Sequence, residues 1–442
     1  MATIHVGIDD TDSPKTGCTT YVAAILVEKL RKLGVSFIDY PNLIRLNPNV
    51  PWKTRGNGAL SLRFRCHNHV VDDIVEQVID VIEKYSDMGY DGTEPGVVFL
   101  FRSTVPDEIR AFAKRTIQGI SQKTEAMKLI RRFGAEAAGF KTGRGIIGGL
   151  AAIGEILEND HTYELIAYRT PENRGISRKL DVASVLEMNK ETGPLTFNNV
   201  DPETGRVLIT PRGPDPILYG IRGETPLAVK RAHEMVRSIE PIERWVIFRT
   251  NHGTDAHLKR SNSVADVQPF GSTIVQGTVS RQPYVVPRRH VIFSIEDENV
   301  IDCAAYAPTG DLRKMARMLV VGDLVEACGG VRPATEKHSA TINLEKLKIL
   351  KLAQKYVFHN PVCHRCGNRM KSMGSGKGFR CDKCGLRSMR LKKDAVEKPR
   401  NIKERTYMTS PRSQRHLTKP LCRYGQEKLG KPKRMIRNWH FP

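Results

Sequence analysis

Gly7-Ile8-Asp9-Asp10-Thr11-Asp12-Ser13 follows a short apolar run at 4–8 and precedes a helical pattern at 21–33. Three carboxylates in four positions repel one another, so folding alone does not favour the run. A divalent cation among them reverses the balance, because hard Mg²⁺ takes oxygen ligands and brings substrate phosphates with it. Lys15-Thr16-Gly17-Cys18-Thr19-Thr20 comes next. Thr19 or Thr20 is expected to cap the following helix, where free backbone N–H groups favour a phosphate. The competing reading is an acidic turn followed by an ordinary threonine cap.

Around this stretch, residues 1–158 read as one α/β unit. Strands are expected at 4–8, 36–45, 60–66 and 96–101, and helices at 21–33, 70–85, 107–117 and 123–133. The unit ends on Gly139-Phe140-Lys141-Thr142-Gly143-Arg144-Gly145-Ile146-Ile147-Gly148-Gly149, a glycine-rich loop entering a small-residue helix. Lys141, Arg144 and the amides of 143–148 could cradle a polyphosphate, or the glycines could serve close helix packing. Lys53-Thr54-Arg55-Gly56-Asn57-Gly58 and Gly92-Thr93-Glu94-Pro95-Gly96 are two further glycine turns in the same unit.

Residues 159–265 read as a ferredoxin-like β-α-β-β-α-β domain. Its elements are expected at 162–169, 179–189, 206–210, 217–221, 226–238 and 244–250, with 195–200 competing for the second strand. Tyr219-Gly220-Ile221-Arg222-Gly223-Glu224-Thr225-Pro226 ends a strand and opens a helix. Glu224 either serves the helix dipole or holds a cationic substrate group. The polar run 248–257 lines a cleft or forms a hydrated loop. Residues 266–355 carry five short strands, with one helix at 310–319 between the third and fourth, as an OB-fold barrel requires. Arg281, Tyr284, Arg288 and Arg289 around its first strand pair suit contact with single-stranded nucleic acid.

Cys363-x-x-Cys366 and Cys381-x-x-Cys384 stand 14 residues apart, each pair followed by a glycine. Four thiolates at this spacing make a structural zinc ribbon over 356–395, closed to catalysis because no coordination position is left open. Residues 396–442 read as a basic tail. The net charge of +22 is concentrated at this end: residues 351–442 hold 25 of the 70 Lys+Arg and 5 of the 48 Asp+Glu. A nearly neutral body with a basic end points to nucleic acid, with a merely solvated polybasic tail as the alternative. No apolar run spans a membrane and the first residues lack a signal-peptide pattern, so a cytoplasmic, non-membrane protein is expected.

The acidic start with Cys18-Thr19-Thr20-Tyr21, the segment 145–154, Tyr-Gly-Ile-Arg-Gly-Glu-Thr-Pro at 219–226 and the run at 248–258, followed by barrel and ribbon, resemble the archaeal agmatidine synthetase family (TiaS). The resemblance covers all but the tail beyond about residue 395. It implies a multidomain α/β and α+β protein with a kinase-like first domain. It also implies an ATP-dependent ligase joining agmatine to the 2-position of the wobble cytidine of tRNA-Ile with a CAU anticodon, which switches reading from AUG to AUA. Asp9, Asp10 and Asp12 would be catalytic, with Mg²⁺ on Asp9 and Asp12, and Thr19 would match a self-phosphorylated threonine. Thr11, Lys141, Gly143, Arg144, Gly145 and Gly148 would hold ATP, and Tyr219, Gly220, Arg222 and Glu224 would hold agmatine. A rival reading of the residues is a non-catalytic nucleic-acid adaptor. A weaker one is a kinase acting on a non-RNA acceptor through Thr19.

Overall fold

The computed structural model describes residues 1–431 and 434–442. Its largest sheet has eleven strands and runs through both of the first two sequence units. In spatial order the main path is Glu136–Gly139, Gly96–Leu100, Ala2–Asp9, Gly58–Cys66, Asn42–Arg45, Ile242–Thr250, Thr162–Arg169, Ile217–Gly223 and Thr196–Phe197. The join is parallel: Arg249 pairs with Asn42 and Thr250 with Leu43. One continuous sheet therefore presents the acidic loop and the second unit to the same space.

Helix Gly145–Gly154 crosses this sheet at backbone contact distance. A Cβ on Gly7 would lie 1.9 Å from the Gly149 carbonyl oxygen, and one on Gly96 would lie 2.1 Å from the Ile146 nitrogen. Any side chain at Gly7 or Gly96 would lift the helix off, so these glycines serve close packing. Helix Thr19–Lys32 buries Val22, Leu26 and Leu30, which lie on one face at helical spacing. Its N-cap is Cys18, with no side-chain cap, so Thr19 is the first helical residue and neither threonine caps.

Two expected elements differ and one strand is added. The strand at 36–45 divides into Ser36–Phe37 and Asn42–Arg45, and Glu136–Gly139 is an added edge strand. In the second unit the competing piece wins: Thr196–Phe197 joins the sheet, while 206–210 contributes only a Val200–Val207 bridge. Gly205 at φ 67° and Pro211 bracket that segment too closely for a full strand.

The next unit is a closed five-stranded barrel in the order Ser272–Val286, His290–Glu296, Val300–Ala305, Thr341–Lys351 and Leu324–Arg332, with the last pairing back onto the first. Val275, Phe293, Ile295 and Leu347 fill it, and helix Asp311–Ala316 falls between the third and fourth strands in sequence.

The basic tail is not a solvated appendage. Thr406–Met408 pairs with barrel residues Lys346–Lys348, and His440–Phe441 pairs with Val246 and Trp245 of the large sheet. Between them Leu417, Arg423 and Trp439 are buried. Glu345 marks the junction. Its Oε2 accepts from Thr418 Oγ1 at 2.6 Å and lies 3.0 Å from His257 Nε2. Burial works to raise its pKa, yet His257, Arg415 and Thr418 hold it down at about 2. The folded value lies below the unfolded one near 4.5. The linked stabilisation is therefore complete above pH 4.5 and is lost as pH falls toward 2. At about 1.4 kcal/mol per pH unit this amounts to about 3 kcal/mol. Glu345→Gln should unfold at lower urea than the parent at about pH 6, and the gap should narrow steadily between about pH 4.5 and 2.5. A pH-independent gap would exclude this linkage.

Candidate active site

A cavity of about 480 Å³ opens between the acidic loop and the second unit. Asp9, Asp10, Asp12, Thr19, Arg55, Arg144 and Gly148 of the first unit line it. So do Arg45, Glu164, Asp215, Gly220, Arg222 and His252, and Arg412, Gln414, Arg415 and His416 of the tail.

In the acidic loop the chain turns through Asp10 at φ 61°, a left-handed conformation that Asp tolerates better than most residues. Asp10 Oδ2 accepts from Arg144 at 2.8 Å, and Asp12 Oδ2 accepts from Arg55 Nε at 2.7 Å. Asp9 has no arginine among the described ion pairs. Burial, then its neighbour Asp10, pushes the Asp9 pKa well above the usual carboxylate range. Burial also raises that of Asp10, against the pull of Arg144. Among the described residues the ribbon cysteines are the one group of three or more metal-type side chains whose ligand atoms all lie within 4.8 Å of one another, so the three aspartates are not gathered as a ready-made cation site. Asp9, half-buried and without an ion-pair partner, is the carboxylate left open to a hard cation.

Gly148 matters here sterically. A Cβ there would sit 1.9 Å from Asp9 Oδ2, so glycine makes the room in which that carboxylate lies. Thr11 is buried beneath the loop and donates to Thr19 Oγ1 at 3.1 Å, which leaves Thr19 on the cavity wall. The remaining expected nucleotide contacts lie outside the cavity. Lys141 Nζ donates to the Tyr90 carbonyl, Gly143 forms a turn at φ 67°, and Gly145 packs on Gly96.

The expected amine site is only half assembled. Gly220 and Arg222 face the cavity. Tyr219 is fully buried away from it, its hydroxyl 2.7 Å from His233 Nδ1. Glu224 is likewise absent from the wall. Its carboxylate is taken by tail residues Arg423, at 2.6 Å, and Lys428. The cavity instead presents Glu164 and Asp215. Burial works to raise the Glu164 pKa, but Arg222 at 3.0 Å, His252 and Arg45 hold it well below the ordinary range. His252 Nδ1 lies 3.4 Å from Glu164 without the alignment of a hydrogen bond, and burial brings its pKa down to about 4. The rings of His252 and His416 meet edge to face at 5.0 Å. The Arg45 charge, then burial, lowers the His416 pKa well below its usual value. Both imidazoles are therefore uncharged at neutral pH. Glu164 had a sequence signal: it is the one acid in the mostly apolar strand Thr162–Arg169. Asp215 and His416 had none.

On the barrel, Arg281 lies over the Tyr284 ring at 5.2 Å and pairs with Asp302. Arg288 and Arg289 are exposed at a turn, both at positive φ. In the ribbon the four Sγ atoms of Cys363, Cys366, Cys381 and Cys384 lie within 4.8 Å of one another. Gly367 N donates to Cys363 O at 2.8 Å and Gly385 N to Cys381 O at 2.9 Å, with both glycines at φ 72°. Two such knuckles facing each other fit a tetrahedral Zn²⁺.

Three family models match in chain order. They are the TiaS TCKD domain over 5–142, the TiaS FLD domain over 143–257 and the TiaS C-terminal zinc ribbon domain over 360–402. The tRNA 2-agmatinylcytidine synthetase TiaS of Thermococcus sibiricus is 42% identical over 95% of this chain and 96% of its own. The chain belongs to the TiaS family. Among solved TiaS structures, a complex with isoleucine tRNA and ATP is 39% identical, with a TM-score of 0.87 over 96% of this chain and 98% of that one. A TiaS complex with isoleucine tRNA, AMPCPP and agmatine is 37% identical, with a TM-score of 0.84 over 96% and 98%. The cavity spans the stretches matched by the TCKD and FLD models, and the tail that closes it lies beyond residue 402, outside all three. No helix among the described residues is long and apolar enough to cross a membrane.

Proposed function

We propose that this protein is an ATP-dependent tRNA ligase. It conjugates agmatine to the 2-position of the wobble cytidine of tRNA-Ile with a CAU anticodon. The observation that carries this is a single cavity in which a phosphate-type acidic loop faces a wall of buried carboxylate, arginine and imidazole groups. The TiaS relatives and the complexes of their kind with isoleucine tRNA, ATP and agmatine support it. In this reading residues 1–158 are the kinase-like domain and 159–265 the ferredoxin-like domain. Residues 266–355 form the OB barrel, 356–395 the zinc ribbon and 396–442 the tail.

The 2-carbonyl of cytosine is a poor electrophile because its oxygen leaves badly. Phosphorylating that oxygen makes it a leaving group, and the primary amine of agmatine then displaces it at carbon. Asp9 and Asp12, with Asp10 beside them, would hold Mg²⁺, which neutralises phosphate charge when bound. Arg144 would hold nucleotide phosphates, and Thr19, on the cavity wall, would be the self-phosphorylated residue. Asp215 and Glu164 replace Glu224 as the carboxylates offered to the agmatine cation. The cytidine leaves the anticodon stack at a cost of a few kcal/mol, roughly, which contacts from Arg281, Tyr284, Arg288, Arg289 and the ribbon offset. The site of action is the cytoplasm.

Mass analysis of the anticodon nucleoside after incubation with the tRNA, ATP and either agmatine or lysine tests the reaction. An agmatine adduct is expected, and unmodified cytidine would refute it. Cys363→Ser removes one of four zinc ligands. It should release zinc and weaken tRNA binding at least about tenfold, because ribbon folding depends on the metal, while ATP binding stays unchanged. Full tRNA affinity in the zinc-free variant would exclude the ribbon from the RNA surface.

A further inference from the structure

The guanidinium of Arg55 holds three acceptors from two units of the fold. Nε donates to Asp12 Oδ2 at 2.7 Å, one terminal nitrogen to Asp215 Oδ2 at 3.3 Å, and the other to the Gly17 carbonyl at 2.5 Å. It projects from the turn at 53–58, whose Gly56 packs against the His416 ring: a Cβ there would lie 3.0 Å from Nε2. The turn that carries the side chain is thus packed in place, while the side chain lies on the cavity wall and is 24% exposed. Arg144 likewise pairs with Asp10, at 2.8 Å. Two guanidinium groups therefore stand where a divalent cation would otherwise supply positive charge.

We infer that Arg55 is an exchangeable counter-ion. It covers Asp12 while the site holds no divalent cation, yields that carboxylate when Mg²⁺–ATP enters, and turns onto the oxygens of the transferring phosphoryl group. The inference rests on reading the acidic loop as the Mg²⁺–ATP site. A carboxylate oxygen in a 2.7 Å bond to a guanidinium is a poor ligand for a cation, since the two positive charges repel. Release from Asp12 does not strand the partner, because Asp215 keeps Arg178 at 3.2 Å. A cation held by Asp12 brings phosphate oxygens beside the same carboxylate, so the guanidinium only changes acceptor. In transfer, the phosphorus–oxygen bond to the nucleotide breaks and its electron pair stays with the departing nucleotide. The cytosine 2-oxygen, a carbonyl with no proton to lose, forms the new bond, and charge is spread over the phosphoryl oxygens. A planar fork of N–H donors meets two of those oxygens at once, which a lysine ammonium does not.

The test uses full-length protein with Arg55→Gln and Arg55→Lys, and Mn²⁺ as the probe, its free fraction read by electron paramagnetic resonance. Without nucleotide, Arg55→Gln should bind Mn²⁺ about tenfold tighter than the parent, since its competitor is gone. The same variant should lose on the order of 10³ in kcat for tRNA-dependent ATP consumption, with KM for ATP changed far less. Arg55→Lys should restore the competition with Mn²⁺ and little of kcat. Unchanged or weaker Mn²⁺ binding by Arg55→Gln, or kcat within about threefold of the parent, overturns the exchange. Equal Mn²⁺ binding by Arg55→Gln and by the double variant Arg55→Gln with Asp12→Asn would overturn the metal reading itself, and the exchange with it.

Discussion

Asp12→Ala should lower agmatine-dependent tRNA modification by at least about 10³-fold while tRNA affinity stays within about twofold, because the loss falls on charge stabilisation during phosphoryl transfer. The contrast follows from placement. Asp12 lines the cavity with Arg55 and Arg144, whereas Arg281, Tyr284, Arg288 and Arg289 lie on the separate barrel. ATP binding should survive, since removing the carboxylate leaves Arg55 and Arg144 to meet the phosphates. Asp9→Asn adds a second signature. The Asp9 pKa is raised in the folded state, chiefly by burial, so its charge opposes folding at neutral pH. The amide should therefore raise the melting temperature of the metal-free protein while abolishing turnover. A group kept at a cost to stability is placed there for function. Normal modification by Asp12→Ala or Asp9→Asn would remove these residues from the chemistry, and a lower melting temperature for Asp9→Asn would exclude the stability cost.

What the sequence disclosed follows the physics of each signal. The acidic run announced itself because like charges at that spacing need a counter-charge. The cysteine pairs did so because a tetrahedral site fixes their spacing, and the five barrel strands because Gly, Pro and Asp turns separate them. The glycine-rich loop misled in part. Gly145 and Gly148 are glycines because Gly96 and the Asp9 carboxylate press against them, and a packing glycine reads the same in sequence as a phosphate-binding one. Glu224 misled for another reason. A carboxylate ahead of a helix invites a cation, and the cation proved to be Arg423, 199 residues later in the chain. Charge composition could not foresee this. A tail with few acids reads as solvated or RNA-bound, and its lysines and arginines reveal nothing of the buried carboxylates waiting on other elements.

Those carboxylates make Arg423 a sensitive position outside the cavity. Its side chain is 1% exposed and bridges Glu224 at 2.6 Å and Asp160 at 2.9 Å, while also donating to the Gly253 carbonyl. Arg423→Ala strands two carboxylates in a largely dry site and should cost about 3 kcal/mol, at the low end for a broken buried pair because Lys419 and Lys428 remain. Arg423→Lys should recover less than half of that, since one ammonium cannot span both acids and the carbonyl. The loss should reach the cavity. Gly253 N donates to His416 O at 2.7 Å and Asp255 N to Leu417 O at 2.8 Å, so the strap that Arg423 fastens is the one carrying Arg412, Gln414, Arg415 and His416 into the wall. Chain ended after residue 408 should accordingly keep its barrel pairing at Thr406–Met408 yet lose modification activity and gain protease sensitivity in the loop at 251–257. Thermal unfolding with limited proteolysis and the nucleoside assay reads both effects. A truncated protein that melts and modifies tRNA like the parent would show that the strap closes nothing.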